Sequence, residues 1–318
     1  MAKIANTVTT FDVKGLREQL ADVIYNIDPT DTVFVSNAAR GSVKGTFAEW
    51  QQDSLAAPNT ANVAPQGDDI TSFDAVVPTV RLGNYTQISR KTAIISGTEE
   101  IVEKAGRDSE LGYQMAKKGK ELRIDIESML LSNIAAASGS TSVAAVTASL
   151  LAFIKTNTSL GATGANPTYT TVPNAVRTDG TARALTETLL KGVIAQCWSA
   201  GASPKVVLVG AGNKQVVSGF GGIATKFTQT GGKMQATIIG AADVYVSDFG
   251  VLSIVPSRFQ RNRDAFVLDF SLISVDYLRP FKQVPLATTG DAEKRMLLAE
   301  YMLRVKAEKG LGAVYDLV

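Results

Sequence analysis

The residues whose spacing comes nearest to a chemical site are Val209-Gly210-Ala211-Gly212-Asn213-Lys214-Gln215, an apolar run followed by Gly-x-Gly where a helix would begin. In a dinucleotide site such glycines let the backbone approach a pyrophosphate at a helix N-terminus, and a third glycine follows three positions on. Here position 215 is Gln and no clear strand-helix-strand unit follows, so a tight strand-to-helix turn is the better reading. Gly231-Gly232-Lys233-Met234 fails as a phosphate-binding loop in the same way: position 227 is Phe where the upstream Gly belongs, and Met234 stands where Ser or Thr would hold the metal. It reads as a loop. The chain has no histidine, which removes His triads, His-ligated zinc and His general bases, although carboxylate or Lys catalysis stays open. The single Cys197 lies at helical spacing in an apolar segment, so it forms no intrachain disulfide and reads as a buried small hydrophobe. No catalytic, cofactor-binding or metal-ligating residue is assigned, and an enzyme is not expected.

The elements around these positions describe a large folded chain. Its 318 residues are 45% hydrophobic, enough for one or two cores, and the mean hydropathy is +0.08. A formal charge of +2 lacks the basic excess of a dedicated nucleic-acid binder, so any contact with nucleic acid would be local. No run approaches a membrane span and the first residues lack a signal-peptide core; an intracellular protein is expected.

An amphipathic helix is expected where Leu16, Leu20, Val23, Ile24 and Ile27 recur at three- and four-residue spacing, with Asp12 as cap, stopping at Asp28-Pro29. Strand-like sequence at Thr46 to Gln51 then leads out, and Thr79 to Ser89 leads back, with polar, Pro- and Gly-containing sequence between. A two-stranded ribbon is marginal alone, and a structureless connection of more than about 15 residues is uncommon inside a compact domain. The excursion therefore points to packing on another copy of the chain.

Ser96-Gly97-Thr98-Glu99 has capping-box spacing before a short helix from Glu100 to Ala105 that ends at Gly106. Asp108 is expected to cap a long helix running to about Asn133, with Leu111, Met115, Leu122, Ile126, Met129 and Leu130 forming its apolar stripe. Lys117, Lys118, Lys120, Arg123 and Glu127 cover the other faces, either as a solvated surface or as a locally basic one facing a polyanion. Gly112 and Gly119, one heptad apart, suggest a close backbone neighbour, ordinary core packing being the alternative.

From Ala136 to Thr181 the chain turns Ser-, Thr-, Ala- and Gly-rich around one short helix near Leu150 to Lys155. A second layer follows: a helix from Thr186-Glu187 through Trp198, an apolar strand Lys205 to Val209, and short strands at Asp243 to Ser247, Leu252 to Val255 and Ala265 to Leu268. Leu297, Ala299, Tyr301, Leu303, Val305 and Ala307 then alternate with mostly polar residues, a strand expected to return to the long helix.

This order, together with Glu49-Trp50-Gln51-Gln52 through Asn62, Gly83-Asn84-Tyr85-Thr86-Gln87-Ile88, Gly240-Ala241-Ala242-Asp243 through Gly250, Tyr277-Leu278-Arg279-Pro280-Phe281 and Thr289-Gly290-Asp291 through Arg295, resembles the major capsid proteins of tailed phages. The resemblance covers nearly the whole chain. It implies an α+β fold of the Hong Kong 97 type: N-terminal arm 1–40, extended two-stranded loop 41–95, peripheral domain with its spine helix 96–135, inserted axial domain 136–256, and return to the peripheral domain 257–318. It further implies hexamers and pentamers tiling an icosahedral shell around double-stranded DNA that is contacted non-specifically. The loop would lie over a neighbour's peripheral domain and the axial domain would meet its mates at the capsomer centre. Separate scaffolding, portal and decoration proteins are possible partners, no membrane or cofactor is implied, and assembly would occur in the bacterial host cytoplasm to yield the virion capsid. Trp50 and Tyr85 are the candidate inter-subunit contacts, packing within the chain being the alternative. The type member cross-links its subunits through a loop lysine, whereas no Lys occurs here between Lys44 and Lys91, so a shell without cross-links is expected. The type member also carries an N-terminal scaffolding segment, and too little chain precedes the arm here to supply one. The alternatives are a bacterial nanocompartment shell of the same fold and an enzyme using the Gly210-Gly212 turn.

Overall fold

The computed structural model describes residues 29–67, 69, 73–104, 106–220 and 243–318. The expected arm helix around Leu16 to Ile27 and the Gly231-Gly232-Lys233 segment lie outside the described residues.

A short helix α1 (Val33–Asn37) and strand β1 (Ala39–Ser42) lead into a ribbon of β2 (Phe47–Gln52) and β3 (Val80–Tyr85), paired antiparallel with Trp50 opposite Leu82. The expected return strand is two strands. At Thr86 the chain leaves the ribbon, its N–H donating to the Thr46 carbonyl (2.8 Å), and β4 (Gln87–Ser96) begins in a different sheet. Helix α2 spans Gly97–Ile101, earlier than expected, because Ser96 caps it by accepting from the Glu99 N–H. The long helix α3 (Glu110–Leu130) is capped by Ser109 instead of Asp108 and ends three residues before Asn133, giving a length of about 31 Å. Its stripe at Leu111, Met115, Leu122, Ile126 and Leu130 is buried as the spacing requires.

Helix α4 (Leu150–Phe153) is wholly buried, and a two-residue strand β5 (Thr158–Ser159) follows. Helix α5 (Glu187–Ser199), capped by Thr186, and β6 (Val206–Val209) fall where the apolar pattern puts them. Then come α6 (Ala211–Ser218), β7 (Val244–Ser247), β8 (Gly250–Pro256) and β9 (Asp264–Leu268). The chain closes with β10 (Ile273–Pro285), β11 (Ala292–Val305) and β12 (Gly312–Tyr315).

Two larger sheets organise these elements. The first has order β1-β10-β11-β4, with α3 packed on one face: Ala299, Tyr301 and Leu303 join Leu122, Ile126 and Leu130 in one core. The expected polar side of β11 is not solvated, since Met302 is fully buried and Glu300 is 6% exposed; the face away from α3 is covered there too, and Arg279 (2.7 Å) and Thr86 (2.9 Å) satisfy the carboxylate. The second sheet, β5-β12-β9-β6-β8-β7, carries α5 and the cluster around Val193, Cys197 and Val217 on one face and shares the first core through Leu208, Phe266 and Tyr315 on the other. Burial on both faces explains the unbroken apolar runs of β6 and β9. This sheet draws strands from both sides of residue 257, where the sequence puts the return.

Candidate assembly surface

The ribbon is fixed at its root by bonds within the chain. Asn84, fully buried, donates through Nδ2 to the Leu303 carbonyl (2.7 Å) and Thr147 Oγ1 (2.8 Å), and its Oδ1 accepts from the N–H groups of Tyr85 and Ala148 (2.9 Å each). Every polar capacity of that side chain is used, so β3 is held in one register against β11. Gly83 leaves room for the Phe47 ring: a Cβ there would lie 2.5 Å from Phe47 Cζ and push that ring aside. Trp50 Nε1 donates to the Val305 carbonyl (2.9 Å), its ring 6.2 Å from that of Phe153, and Tyr85 stacks at 4.7 Å on Phe47. Both aromatics read from sequence as inter-subunit contacts thus rest on the chain's own core.

The described residues between Gln52 and Val80 form no ladder, and apolar side chains among them meet water: Leu55 is 99% exposed, Val63 86%, Phe73 88% and Val76 91%. This is the apolar surface that lacks a partner. Composition marks these residues only as part of a loop, and a run such as Ala75-Val76-Val77-Pro78 could have singled them out as strand-competent sequence with no mate.

A second apolar patch lies on the α5 side of the other sheet, where Trp198 and Phe249 meet at 5.1 Å, while Val244 and Val246 of edge strand β7 are exposed on that sheet's opposite face. Asp248, next to Phe249 in the β7–β8 turn, lies near Lys191 and Tyr245. Tyr245 donates to Glu187 (3.0 Å), which also pairs with Lys191 (2.8 Å), and these bonds lower the Glu187 pKa.

Buried charges hold the frame. Glu127, expected on a polar face of α3, is fully buried; its two oxygens accept from the N–H groups of Phe34 and Val35 (2.7 Å each) and so tie α1 to the long helix. Burial pushes its carboxyl above the usual range despite those bonds. Arg177 is also fully buried. It grips both oxygens of Asp316 (3.0 Å each) and lies 4.1 Å over the Tyr315 ring. Burial works against the Asp316 charge, but the N–H groups of Gly180 and Gly161 together with Arg177 outweigh it and lower the pKa. Desolvation dominates at Asp264, pushing it up to about 6, with Arg261 offsetting only part.

In the Gly210-Gly212 turn packing accounts for the first glycine, whereas a Cβ on Gly212 would meet nothing within 4 Å. Gly210 caps α6 with extended backbone, and a Cβ on it would meet Asn262 Oδ1 at 2.5 Å, so the glycine admits Asn262. Lys214 in the following turn is committed to Asp243 (3.1 Å) and the Ile254 carbonyl (3.0 Å). Cys197 is buried in the second core, its thiol pushed up to about 12 by desolvation. A Cβ on Gly119 would meet Leu297 Cδ2 at 3.8 Å, and among the described residues no backbone of another element comes within 4 Å of it.

Known proteins resemble this chain along its length. Solved structures from Gordonia phage Cozz (TM-score 0.60, 12% identity, covering 99% of this chain and 97% of that one) and Mycobacterium phage Cain (0.58, 12%, 97% and 98%) share its fold. So does a structure described as Phage G gp27 major capsid proteins and gp26 decoration proteins (0.53, 10%, 99% and 99%). The fold is α+β, of the Hong Kong 97 capsid type. A curated major capsid protein of Escherichia phage Phieco32 is 37% identical over 123 residues, which make up 39% of this chain and 35% of that relative's length. The family model described as SU10 major capsid protein matches residues 3–318, so the chain belongs to the SU10 major capsid protein family.

Proposed function

We propose that this chain is the subunit of a tailed-phage head shell, in which hexamers and pentamers tile an icosahedron around packaged double-stranded DNA. The carrying observation is the loop whose root is bonded into its own chain while residues 53–79 present Leu55, Phe73 and Val76 to water. A rigid root with an unpartnered end is an arm aimed at a neighbour. In this reading residues 41–95 lie over a neighbour's peripheral domain, formed by 96–135 and the return after 257. The axial domain at 136–256 brings the Trp198-Phe249 patch to the capsomer centre. Without a Lys between Lys44 and Lys91 the shell holds together non-covalently. Scaffolding, portal and decoration proteins are separate chains, and the particle is a virion capsid assembled in the host cytoplasm.

Cryo-electron microscopy of the expressed chain, alone and with its phage neighbours, tests this. The expected result is closed shells of one capsomer lattice, with loops crossing between subunits and DNA inside particles from infected cells. A chain that stays monomeric under every assembly condition would overturn the reading, and covalent ladders on a denaturing gel would overturn the non-covalent shell.

A further inference from the structure

The first sheet has one face on α3 and another turned away from it. Lys91 on β4 reaches Asp125 of α3 (2.6 Å), and Leu297 on β11 meets Gly119, so the odd-numbered residues of both strands face the helix. Alternation then sends Ile88, Arg90, Thr92 and Ile94 to the opposite face. The register places Leu298 beside Arg90, Met296 beside Thr92 and Lys294 beside Ile94, with Lys282 and Val284 of β10 next to Leu298 and Met296. The apolar surface open there belongs to β4, Ile88 being 54% and Ile94 60% exposed, whereas Leu298 of β11 is 6% exposed. Among the described residues the outer edge of β4, ten residues long, is also unpaired, in a sheet whose order ends at that strand. Such an edge invites a further strand.

The charge on this face is one-sided. Arg90 and Lys282 are exposed and form no ion pair among the described residues. Lys294 bonds only the Thr289 hydroxyl, and the one acid, Glu300, is taken by Arg279 and Thr86. The loop end has the opposite sign: no Lys or Arg occurs from Gly45 to Val80, whereas Asp69 and Asp74 flank the exposed Phe73, Val76 and Val77. Residues 73–79 belong to no ladder and carry apolar side chains for an apolar face. The patch at Trp198 and Phe249 offers no such basic pair: Asp248 adjoins Phe249, and the nearby Lys191 is already paired with Glu187.

Resting on the shell reading above, we propose that residues 73–79 of a second copy seat on the face of β4, β11 and β10 turned away from α3. Val76 and Val77 cover Ile88 and Ile94 beside the free β4 edge, and Asp69 and Asp74 approach Arg90 and Lys282. Apolar cover gives the contact its area, and charge of opposite sign fixes which face is chosen.

Two sets of variants test the seat, read against wild-type shells in the same assembly reaction. Reversing the face (Arg90→Glu with Lys282→Glu) or the loop (Asp69→Lys with Asp74→Lys) should each lower shell yield about tenfold, and combining all four should restore at least about half of it. All four positions are at the surface, so monomer melting should stay unchanged. Independently, Val76→Cys with Thr92→Cys should give disulfide-linked ladders in shells on a non-reducing gel but not in the dissociated chain; the native Cys197 is buried and silent. If wild-type shells form while the reversals leave the yield unchanged and the cysteine pair gives no ladder, the seat is wrong and the shell reading stands. If the wild type forms no shells, both fail together.

Discussion

The two halves of the extended loop obey different rules. At the root, Leu82 is 2% exposed and Asn84 fully buried, each committed to the chain's own core. Three residues beyond Gln52, Leu55 is 99% exposed and commits to nothing. The root therefore belongs to the energetics of one chain, and the end, on the function proposed above, to those of an assembly. Part of an interface can be pre-paid by rigidity: an arm fixed at its base loses less freedom when its end docks. The largest expected effect tests this division. Replacing residues 53–79 with a short Gly-Ser turn should leave the chain folded, with its stability changed by less than about 1 kcal/mol, because no described apolar contact of the core is removed. The same variant should form no shells, measured by sedimentation beside wild type. Normal shells from the shortened chain would place the assembly contacts elsewhere.

The reverse experiment damages the root. Asn84→Leu leaves the Leu303 carbonyl and the Ala148 N–H without their partner inside the core, and Thr147 Oγ1 keeps only the Leu303 N–H. Stranding several buried polar groups costs about 3–5 kcal/mol, visible as a lower denaturation midpoint of the unassembled chain. A variant as stable as wild type would mean that the root is not held by the chain that carries it.

How far this division was legible in the sequence depends on whether a signal is local. Helices with a stripe and a cap, such as the one after Thr186, and strands buried on both faces, such as Val206–Val209, declare themselves because neighbours along the chain carry the pattern. Glu127 and Asn84 do not. Each looks like a surface residue, and only contacts across 93 and 219 positions, to Phe34 and Leu303, make it a core one. The switch at Thr86 is likewise invisible, since two strands in different sheets read as one alternating run. Topology hid the membership of β9 and β12 in the second sheet, where partners lie far apart in the chain. For the assembly surface, the sequence supplied the location of the loop but favoured aromatics as anchors on side-chain type, and Trp50 and Tyr85 turned out to lie at its root. Type says what a side chain can bury; only the fold says which side chains are left over.

Acid titration separates core from loop in another way. Asp264 on β9 is fully buried and titrates near 6, against about 3.8 when unfolded. The folded chain thus binds this proton more tightly, so this group's contribution to stability is largest below about pH 4 and falls as pH rises to about 6. The full change is about 2–3 kcal/mol. In Asp264→Asn this part of the pH dependence should vanish, followed by denaturant midpoints from pH 4 to 7, and the chain lacking 53–79 should keep the wild-type slope. A slope that persists unchanged in Asp264→Asn would assign it to other carboxyls, Glu127 first, whose pKa is also raised by burial.

The smallest effect asks on which side of the division the two aromatics fall. Trp50→Phe keeps a ring near Phe153 but removes the donor to the Val305 carbonyl and weakens the stacking of Arg304, which lies 5.7 Å over the indole. One lost hydrogen bond to a part-buried carbonyl predicts about 1 kcal/mol off the stability of the unassembled chain. Tyr85→Phe removes only a hydroxyl while the ring contact with Phe47 remains, and should change stability by less than about 0.5 kcal/mol. Neither substitution should alter shell yield under conditions where both chains are fully folded, because each ring contacts its own core. If Trp50→Phe lowered shell yield while leaving the melting of the monomer untouched, the indole would belong to the interface. The boundary between root and end would then move inward from Gln52 to at least Trp50, and the rigid base of the arm would begin only where Leu82 and Asn84 enter the core.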